Sequence, residues 1–488
     1  MDFYKLVKPI IAGIIILFIF SLLYRMPDID DGWIGEHAYW LSELGYVKSE
    51  LMHGITKQEI RHIAHHKLFT INGAAFIKLF GFSLYTLKSV SLMWALVFVA
   101  IFFNYVRRKL GSKAAWLAIL LFTVNALVFQ YSFVYRPEIM VMTLGFVSFM
   151  FLEKYLNDKR LWLLTISGIA AGLAAAAHLN GLIFIGAGFL TLVWQRRFKA
   201  SMLFGLFTIP GFAVYFYDFT REFNFKFWFY QVSEAPSFHA SEVMPTSIQY
   251  FLKILSEHLR FFHSPKEIIM SLLLIFSIIL NFKALKTKTI YLHYLFLIVV
   301  ILSFITAHTT SKYLLLHVPL ITLIILPAVM RLFDKEIVAS RYFSKKFILN
   351  TGIVLLTGFV LIHTVFNVIL AVNKYDTKLN AAITTKYFNQ DTQELSILAP
   401  LGMVFNELPK YRRIQSDLSI IEMNNYKDIS SQTFFATIDT LKIDAMMISE
   451  EYIMKYGLTS VTDDIFRQKG FKVLGRENGY VFLRKDRN

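Results

Sequence analysis

Ser21-Leu22-Leu23-Tyr24-Arg25-Met26-Pro27-Asp28-Ile29-Asp30-Asp31-Gly32-Trp33 marks the point where the first long apolar run of the chain, starting at Ile10, gives way to acids. With its flanks the run suits a bilayer crossing, which takes about 20 apolar residues. Lys5 and Lys8 precede it and no small-x-small cleavage site follows, so it reads as a retained signal anchor. The adjacent carboxylates Asp30 and Asp31 therefore emerge at a membrane surface. An isolated Asp-Asp pair is more often a solvated turn than a site. The rest of the chain shifts that balance toward chemistry on a lipid-anchored substrate.

Outward from this run the same composition recurs. The 488 residues are 56% hydrophobic and 16% aromatic, values that soluble domains rarely reach. Apolar runs are expected to span the membrane at roughly 9–24, 89–106, 114–131, 133–152, 162–178, 180–194, 201–217, 266–282, 290–307, 313–330 and 347–370. The class is thus a polytopic α-helical membrane protein with about eleven spans, eleven to thirteen at most. The net charge of +16 does not point to nucleic acid, because the basic residues fall in short clusters between apolar runs. There is no cysteine, which excludes disulfides and thiolate chemistry.

The connections divide by charge. Arg107-Arg108-Lys109 with Lys113 follow the second span, and Lys154, Lys159 and Arg160 the fourth. Arg196, Arg197 and Lys199 follow the sixth, and Lys283, Lys286 and Lys288 the eighth. Arg331, Lys335, Arg341, Lys345 and Lys346 follow the tenth. Short connections on the other side carry almost no basic residues beyond Arg136 and Lys312. The positive-inside rule then places the N-terminus and these clusters in the cytoplasm. An odd number of spans puts Asp30, Arg136 and the C-terminal tail outside a cell (inner or plasma) membrane.

Two external loops are long, at about 25–88 and 218–265. In the first, Ile34, Ala38, Leu41 and Leu44 fall near one helical face, with Glu36, His37, Trp40 and Glu43 toward the other. That pattern predicts an interfacial helix. The second loop is rich in Phe, Tyr and Trp, which favour the headgroup layer. After about Tyr375 the long apolar runs stop. The organisation is therefore a transmembrane domain over 1–375 and a small extracytoplasmic α/β domain over 376–488. Leu395–Pro400 and Ala445–Ser449 read as strands. Phe471–Leu474 and Tyr480–Arg484 flank Arg476-Glu477-Asn478-Gly479, whose Asn-Gly predicts a hairpin.

Few side chains could carry chemistry. Asp30 and Asp31 lead. Glu138, in Tyr135-Arg136-Pro137-Glu138, lies at an external span end, where charges are usually paired or functional. An Arg136–Glu138 pair serving topology alone accounts for it equally well. His65-His66-Lys67 offers imidazole or positive charge near the end of the first loop; adjacent histidines cannot share a helix face, so they make a poor zinc site. Lys312-Tyr313 opens a late span, where a snorkelling lysine and an interfacial tyrosine are the simpler reading. His178 and Asn180 interrupt an Ala- and Gly-rich stretch, more often a mark of helix packing than of catalysis. No Walker A, dinucleotide fingerprint, His-Glu-x-x-His or Gly-x-Ser-x-Gly occurs.

The order of these features carries a resemblance. One span, an acid pair, an interfacial helix and Lys78-Leu79-Phe80-Gly81 come first, then an external Arg-x-Glu. Ser311-Lys312-Tyr313-Leu314-Leu315 with Pro319 opens a late span. Over roughly residues 1–330 the chain resembles the polyprenyl-phosphate-sugar-dependent glycosyltransferases of the GT-C fold, above all protein O-mannosyltransferases and lipid A aminoarabinose transferases. The resemblance implies that Asp30 is the catalytic base, with Asp31 as the second acid and Glu138 as the acid of the second external loop. It also implies that His65, His66, Lys67, Arg136, Lys312 and Tyr313 bind the donor phosphate or substrate. This chain lacks the family's Pro-Pro after His65, and Trp33 stands where aminoarabinose transferases carry a phosphate-binding Arg.

The implied reaction moves a sugar from a polyprenyl-phosphate donor to an extracytoplasmic acceptor hydroxyl with inversion, with Asp30 taking the proton. The acceptor is an unspecified glycan, lipid or protein. A cation must stabilise the leaving phosphate, and Lys67, Arg136 and Lys312 are the candidates. No metal is required, although a divalent ion between Asp31 and Glu138 is compatible with the pattern. The rival reading is a transporter or flippase of a lipid-linked saccharide. Transporters tend to bury ionisable groups at the bilayer midplane, whereas here the acids gather at one surface.

Overall fold

The computed structural model describes residues 3–236, 247–288, 290–306, 310–334, 344–372, 377–388, 392–425, 429–455, 458 and 461–486. Lys335, Arg341 and the composition change at Tyr375 lie outside the described residues. Ten helices build the first half: α1 (Phe3–Tyr24), α2 (Ile29–Leu44), α3 (Lys67–Phe80), α4 (Leu84–Val124), α5 (Ala126–Tyr131), α6 (Glu138–Asp158), α7 (Leu161–Ala177), α8 (Leu182–Trp194), α9 (Phe198–Ala213) and α10 (Phe225–Ser233). Ser247–Phe261, Pro265–Lys288, Tyr291–Ile305, Val318–Phe333 and Lys345–Val372 follow.

Among the described residues, six helical segments are long and apolar enough to cross a membrane, and four shorter apolar helices accompany them. The longest, α4, is two spans rather than one. Gly111 has φ 86°, a left-handed conformation that glycine adopts without a Cβ clash. It breaks the helix inside the basic cluster 107–113, where the sequence predicts a turn. The eleven expected spans therefore each have a helix.

Packing between the spans follows the small residues. A Cβ on Gly172 of α7 would lie 2.1 Å from the Thr208 carbonyl, and one on Gly211 of α9 would lie 2.3 Å from the Ile169 carbonyl. The two backbones touch, as in other membrane helix pairs where dispersion rather than water exclusion drives association.

The helix predicted over 34–45 is longer and differently placed. It begins at Ile29, so Asp30 and Asp31 sit in its first turn, and it ends at Gly45 in the left-handed conformation (φ 74°). Its polar face is only partly open, with Glu43 exposed. Glu36 and His37 are fully buried, because the segment after Gly45 folds back over that face. Glu36 accepts from Trp40 Nε1 (3.0 Å), Ser49 Oγ (2.6 Å) and the Glu50 N–H (2.6 Å). A buried carboxylate at the hub of a loop is a tertiary device, and residue periodicity alone cannot distinguish it from a wet helix face.

The C-terminal sheet has five strands: β1 (Ser396–Leu398), β2 (Arg413–Gln415), β3 (Ala445–Ser449), β4 (Phe471–Glu477) and β5 (Tyr480–Lys485). Their order is β2-β1-β3-β5-β4. β1 runs parallel to β2 and β3, and β5 is antiparallel to β3 and β4. Asn478 and Gly479 both have positive φ (52° and 76°), as the hairpin turn requires. The short strand β2 has no signal of its own in the sequence. This unit rests on the loop that follows α2. Gln415 Nε2 donates to the Glu50 carbonyl (2.5 Å) and Ser419 Oγ to the Leu51 carbonyl (2.6 Å). Leu401 packs so closely on Gly32 that a Cβ there would lie 2.6 Å away.

Candidate active site

The turn between α1 and α2 fixes the two acids in different roles. Asp28 caps α2, accepting from the Asp30 N–H at 3.2 Å. Asp31 closes the capping box by accepting from the Asp28 N–H at 2.7 Å. Its other oxygen accepts from the Tyr135 N–H at 2.5 Å, and Lys88 Nζ lies 3.8 Å away. Asp31 is fully buried. Burial raises its carboxyl pKa, against Lys88 and the two backbone donors. One oxygen thus closes the cap of α2 and the other ties α2 to the connection before α6. Asp30 has a side chain 20% exposed, paired with Arg136.

Arg136 is the centre of the arrangement. Its Nε and Nη2 donate to the two oxygens of Glu138 at 3.0 and 2.6 Å, and its Nη1 pairs with Asp30. Glu138 is the first residue of α6, where a negative charge suits the helix dipole. Ser91 Oγ donates to the Val134 carbonyl at 2.7 Å and accepts from the Arg136 N–H at 3.4 Å, which holds the connection in place. Asp30, Arg136 and Glu138, more than a hundred residues apart in sequence at the extremes, share one guanidinium.

Lys312 and Tyr313 lie in the 3-10 turn Ser311–His317. Lys312 interacts electrostatically with Arg136, Glu138 and Asp28. The Tyr313 ring lies 6.1 Å from that of His178 and under the guanidinium of Arg260 at 5.6 Å. His66 stacks on His178 at 4.5 Å. Burial holds the His66 imidazole down at about 4, partly offset by Glu138. His66, Lys312 and Tyr313 therefore face the same acid–arginine centre, and the structure adds His178, for which sequence reasoning favoured packing.

His65 and Lys67 turn elsewhere. Lys67 Nζ donates to Asp218 Oδ1 at 2.5 Å, and His65 Nε2 lies 3.2 Å from Asp218 Oδ2. Rings of Tyr215, Tyr217 and Phe219 surround the Lys67 ammonium at 5.5–5.7 Å. Burial lowers the Lys67 pKa to about 8, opposed by Asp218. Its charge is taken up by Asp218, a residue without any motif around it. Sequence reasoning missed Asp218; the acid adjoining the aromatic run at 215–219 was the only available signal.

Glu36 gives a pH prediction. Burial raises its pKa to about 7 from 4.5, against the three donors. The folded state then holds a proton that the unfolded chain has lost. The stability this group contributes is complete below pH 4.5 and is lost as pH rises through about 7. Glu36→Gln mimics the protonated form. Its stability relative to the parent is expected to rise by about 3 kcal/mol between pH 4 and 8, measured by thermal unfolding in detergent at each pH.

The helical bundle, the acid pair after its first helix and the small five-stranded α/β unit together have the GT-C fold. Residues 71–216 match the family described as dolichyl-phosphate-mannose-protein mannosyltransferase. That match covers under a third of the chain, and the fold is the one shared with the solved structures that follow. No curated protein sequence matches the chain. Among solved structures it is similar to ArnT from Cupriavidus metallidurans bound to undecaprenyl phosphate, at 13% identity and TM-score 0.58, over 98% of this chain and 97% of that one. It is also similar to the oligosaccharyltransferase AglB from Archaeoglobus fulgidus in complex with an inhibitory peptide and a dolichol-phosphate. That likeness has 9% identity and TM-score 0.55, over 91% of this chain and 69% of that one.

Proposed function

We propose that the chain transfers a sugar from a polyprenyl-phosphate donor to an acceptor hydroxyl with inversion, Asp30 acting as general base. The observation that carries this is the Asp30–Arg136–Glu138 cluster. It sets a partly exposed carboxylate beside a buried guanidinium, which is what proton removal and a departing phosphate need together. Asp30 rather than Asp31 is the base because only Asp30 has an accessible oxygen. The similar structures hold undecaprenyl phosphate or dolichol-phosphate, which supports a lipid-phosphate donor here.

Arg136, fixed by Glu138, and Lys312 receive the donor phosphate. An anion there draws the guanidinium away from Asp30 and frees it to accept a proton. The acceptor oxygen attacks the anomeric carbon as Asp30 takes its hydrogen. The bond to the phosphate oxygen breaks with its electron pair, and Arg136 and Lys312 stabilise that charge. A divalent ion between Asp31 and Glu138 does not fit the donor set. Both Asp31 oxygens accept backbone N–H groups and Glu138 holds Arg136 with both of its own. Among the described residues no group of three or more acids or histidines is arranged to hold a metal.

The test is turnover by the full chain in nanodiscs. A polyprenyl-phosphate sugar is expected to release polyprenyl phosphate and to yield a product of inverted configuration, read by NMR of the anomeric proton. Retained configuration would exclude direct displacement. The proposed sidedness has its own check. Glu43→Cys and Gln468→Cys should react with an impermeant maleimide in intact cells, and Asp158→Cys should not. Labelling of Asp158→Cys together with Glu43→Cys would break the topology.

A further inference from the structure

The middle of α4 and the far end of α6 enclose a second feature. α6 is 21 residues long, so its last turn lies about 30 Å along the axis from Glu138. There the first half of α4, the end of α6 and the start of α7 surround a cavity of about 640 Å³. Arg108, Lys109, Lys154 and Asn157 line its polar side, and Ile101, Met150, Phe151 and Trp162 its apolar side.

The charges in this cavity do not cancel. Lys109 pairs with Glu153. Glu153 also accepts from the Tyr105 hydroxyl at 2.7 Å, and Tyr105 and Tyr291 hydroxyls lie 3.0 Å apart. Glu153 is buried, so its charge is answered within the protein. Arg108 and Lys154 have no ion pair among the described residues, and Lys154 lies over the Trp162 ring at 5.9 Å. Two uncompensated cations thus stand above an apolar wall. That wall continues outward: Leu161 and Trp162 are 51% and 49% exposed. Tryptophan at such a helix end marks the headgroup layer.

We propose that this cavity binds an anionic membrane phospholipid, its phosphate between Arg108 and Lys154 and its acyl chains along Ile101, Met150, Phe151 and Trp162. A soluble anion would leave the apolar wall uncovered. A zwitterionic phospholipid brings its own ammonium, which competes with the two side chains. Basic pockets between helix ends on the cytoplasmic side bind lipid headgroups for this reason. The site is independent of donor chemistry at the opposite membrane face.

The test uses the full chain purified in detergent and titrated with short-chain phosphatidylglycerol or phosphatidylcholine, with bound lipid counted by native mass spectrometry. Phosphatidylglycerol is expected to bind preferentially. Arg108→Ala/Lys154→Ala should weaken that binding roughly thirtyfold, from about one cationic contact's worth for each side chain, and leave phosphatidylcholine unchanged. Lys345→Ala/Lys346→Ala, which removes two exposed lysines elsewhere in the basic loops, should have no effect. Both altered residues of the first variant are exposed, and Tm checks that it folds. Equal binding of the two lipids, or undiminished phosphatidylglycerol binding in Arg108→Ala/Lys154→Ala, overturns the proposal. Displacement of phosphatidylglycerol by low-millimolar inorganic phosphate also overturns it, in favour of a free-anion site.

Discussion

Asp30→Asn is expected to reduce sugar transfer by roughly 10²–10⁴-fold, the typical contribution of a general base, while lipid-phosphate binding persists. The amide keeps the size of the side chain but cannot accept the acceptor's proton. Arg136 remains held by both Glu138 oxygens, so the phosphate-binding cation stays in place. The two readouts are transfer from a polyprenyl-phosphate sugar and retention of polyprenyl phosphate by the purified variant. Asp31→Asn should act differently. Its oxygens accept backbone N–H groups of Asp28 and Tyr135, so an amide there loosens the α1–α2 turn and lowers Tm before it affects the chemistry. Near-normal transfer by Asp30→Asn removes it as the base. Lipid-saccharide translocation without transfer from any donor would instead support a transporter.

The second large effect concerns Arg136. Arg136→Ala leaves Glu138, 2% exposed, without its partner inside the protein. Breaking a buried pair from one side costs about 3–5 kcal/mol, so Tm should fall sharply. Transfer should disappear as well, because the leaving phosphate loses its principal cation. A double variant separates the two losses. Arg136→Met with Glu138→Gln removes both buried charges and should recover most of the stability but none of the activity. Recovery of transfer in that double variant would show that Arg136 acts only on folding. Arg136→Lys is expected to be intermediate in stability and poor in activity, since an ammonium cannot hold two Glu138 oxygens and Asp30 in one plane.

Legibility in the sequence varied with the physics behind each feature. The spans were readable because the bilayer demands about 20 apolar residues each time, and the basic clusters marked their ends. Even the bend in α4 was legible, since Arg107–Lys113 breaks the apolar run at Gly111. The hairpin around Asn478-Gly479 was readable because its turn needs two positive φ values. The strand β2 was not, because Arg413-Ile414-Gln415 holds a single apolar residue between polar ones. The burial of Glu36 and His37 was not either, because it depends on a loop folding back from Ser49–Leu51.

The same division runs through the site. Local chemistry in the sequence determined that acids follow the first apolar helix and open α6. Helical hydrophobicity and loop charge act over a few residues, so they survive in the linear order. The sequence could not say which of two adjacent aspartates is accessible. That depends on Tyr135 and Lys88, which take up Asp31 and leave Asp30 partly open. Nor could it distinguish the cations. Lys67 and Arg136 look alike in a list of basic residues, but Asp218 takes up one, while the other bridges Asp30 and Glu138. Only tertiary structure decided those pairings, because the strength of a charge pair depends on distance and exclusion of water, and both are set when remote segments pack together.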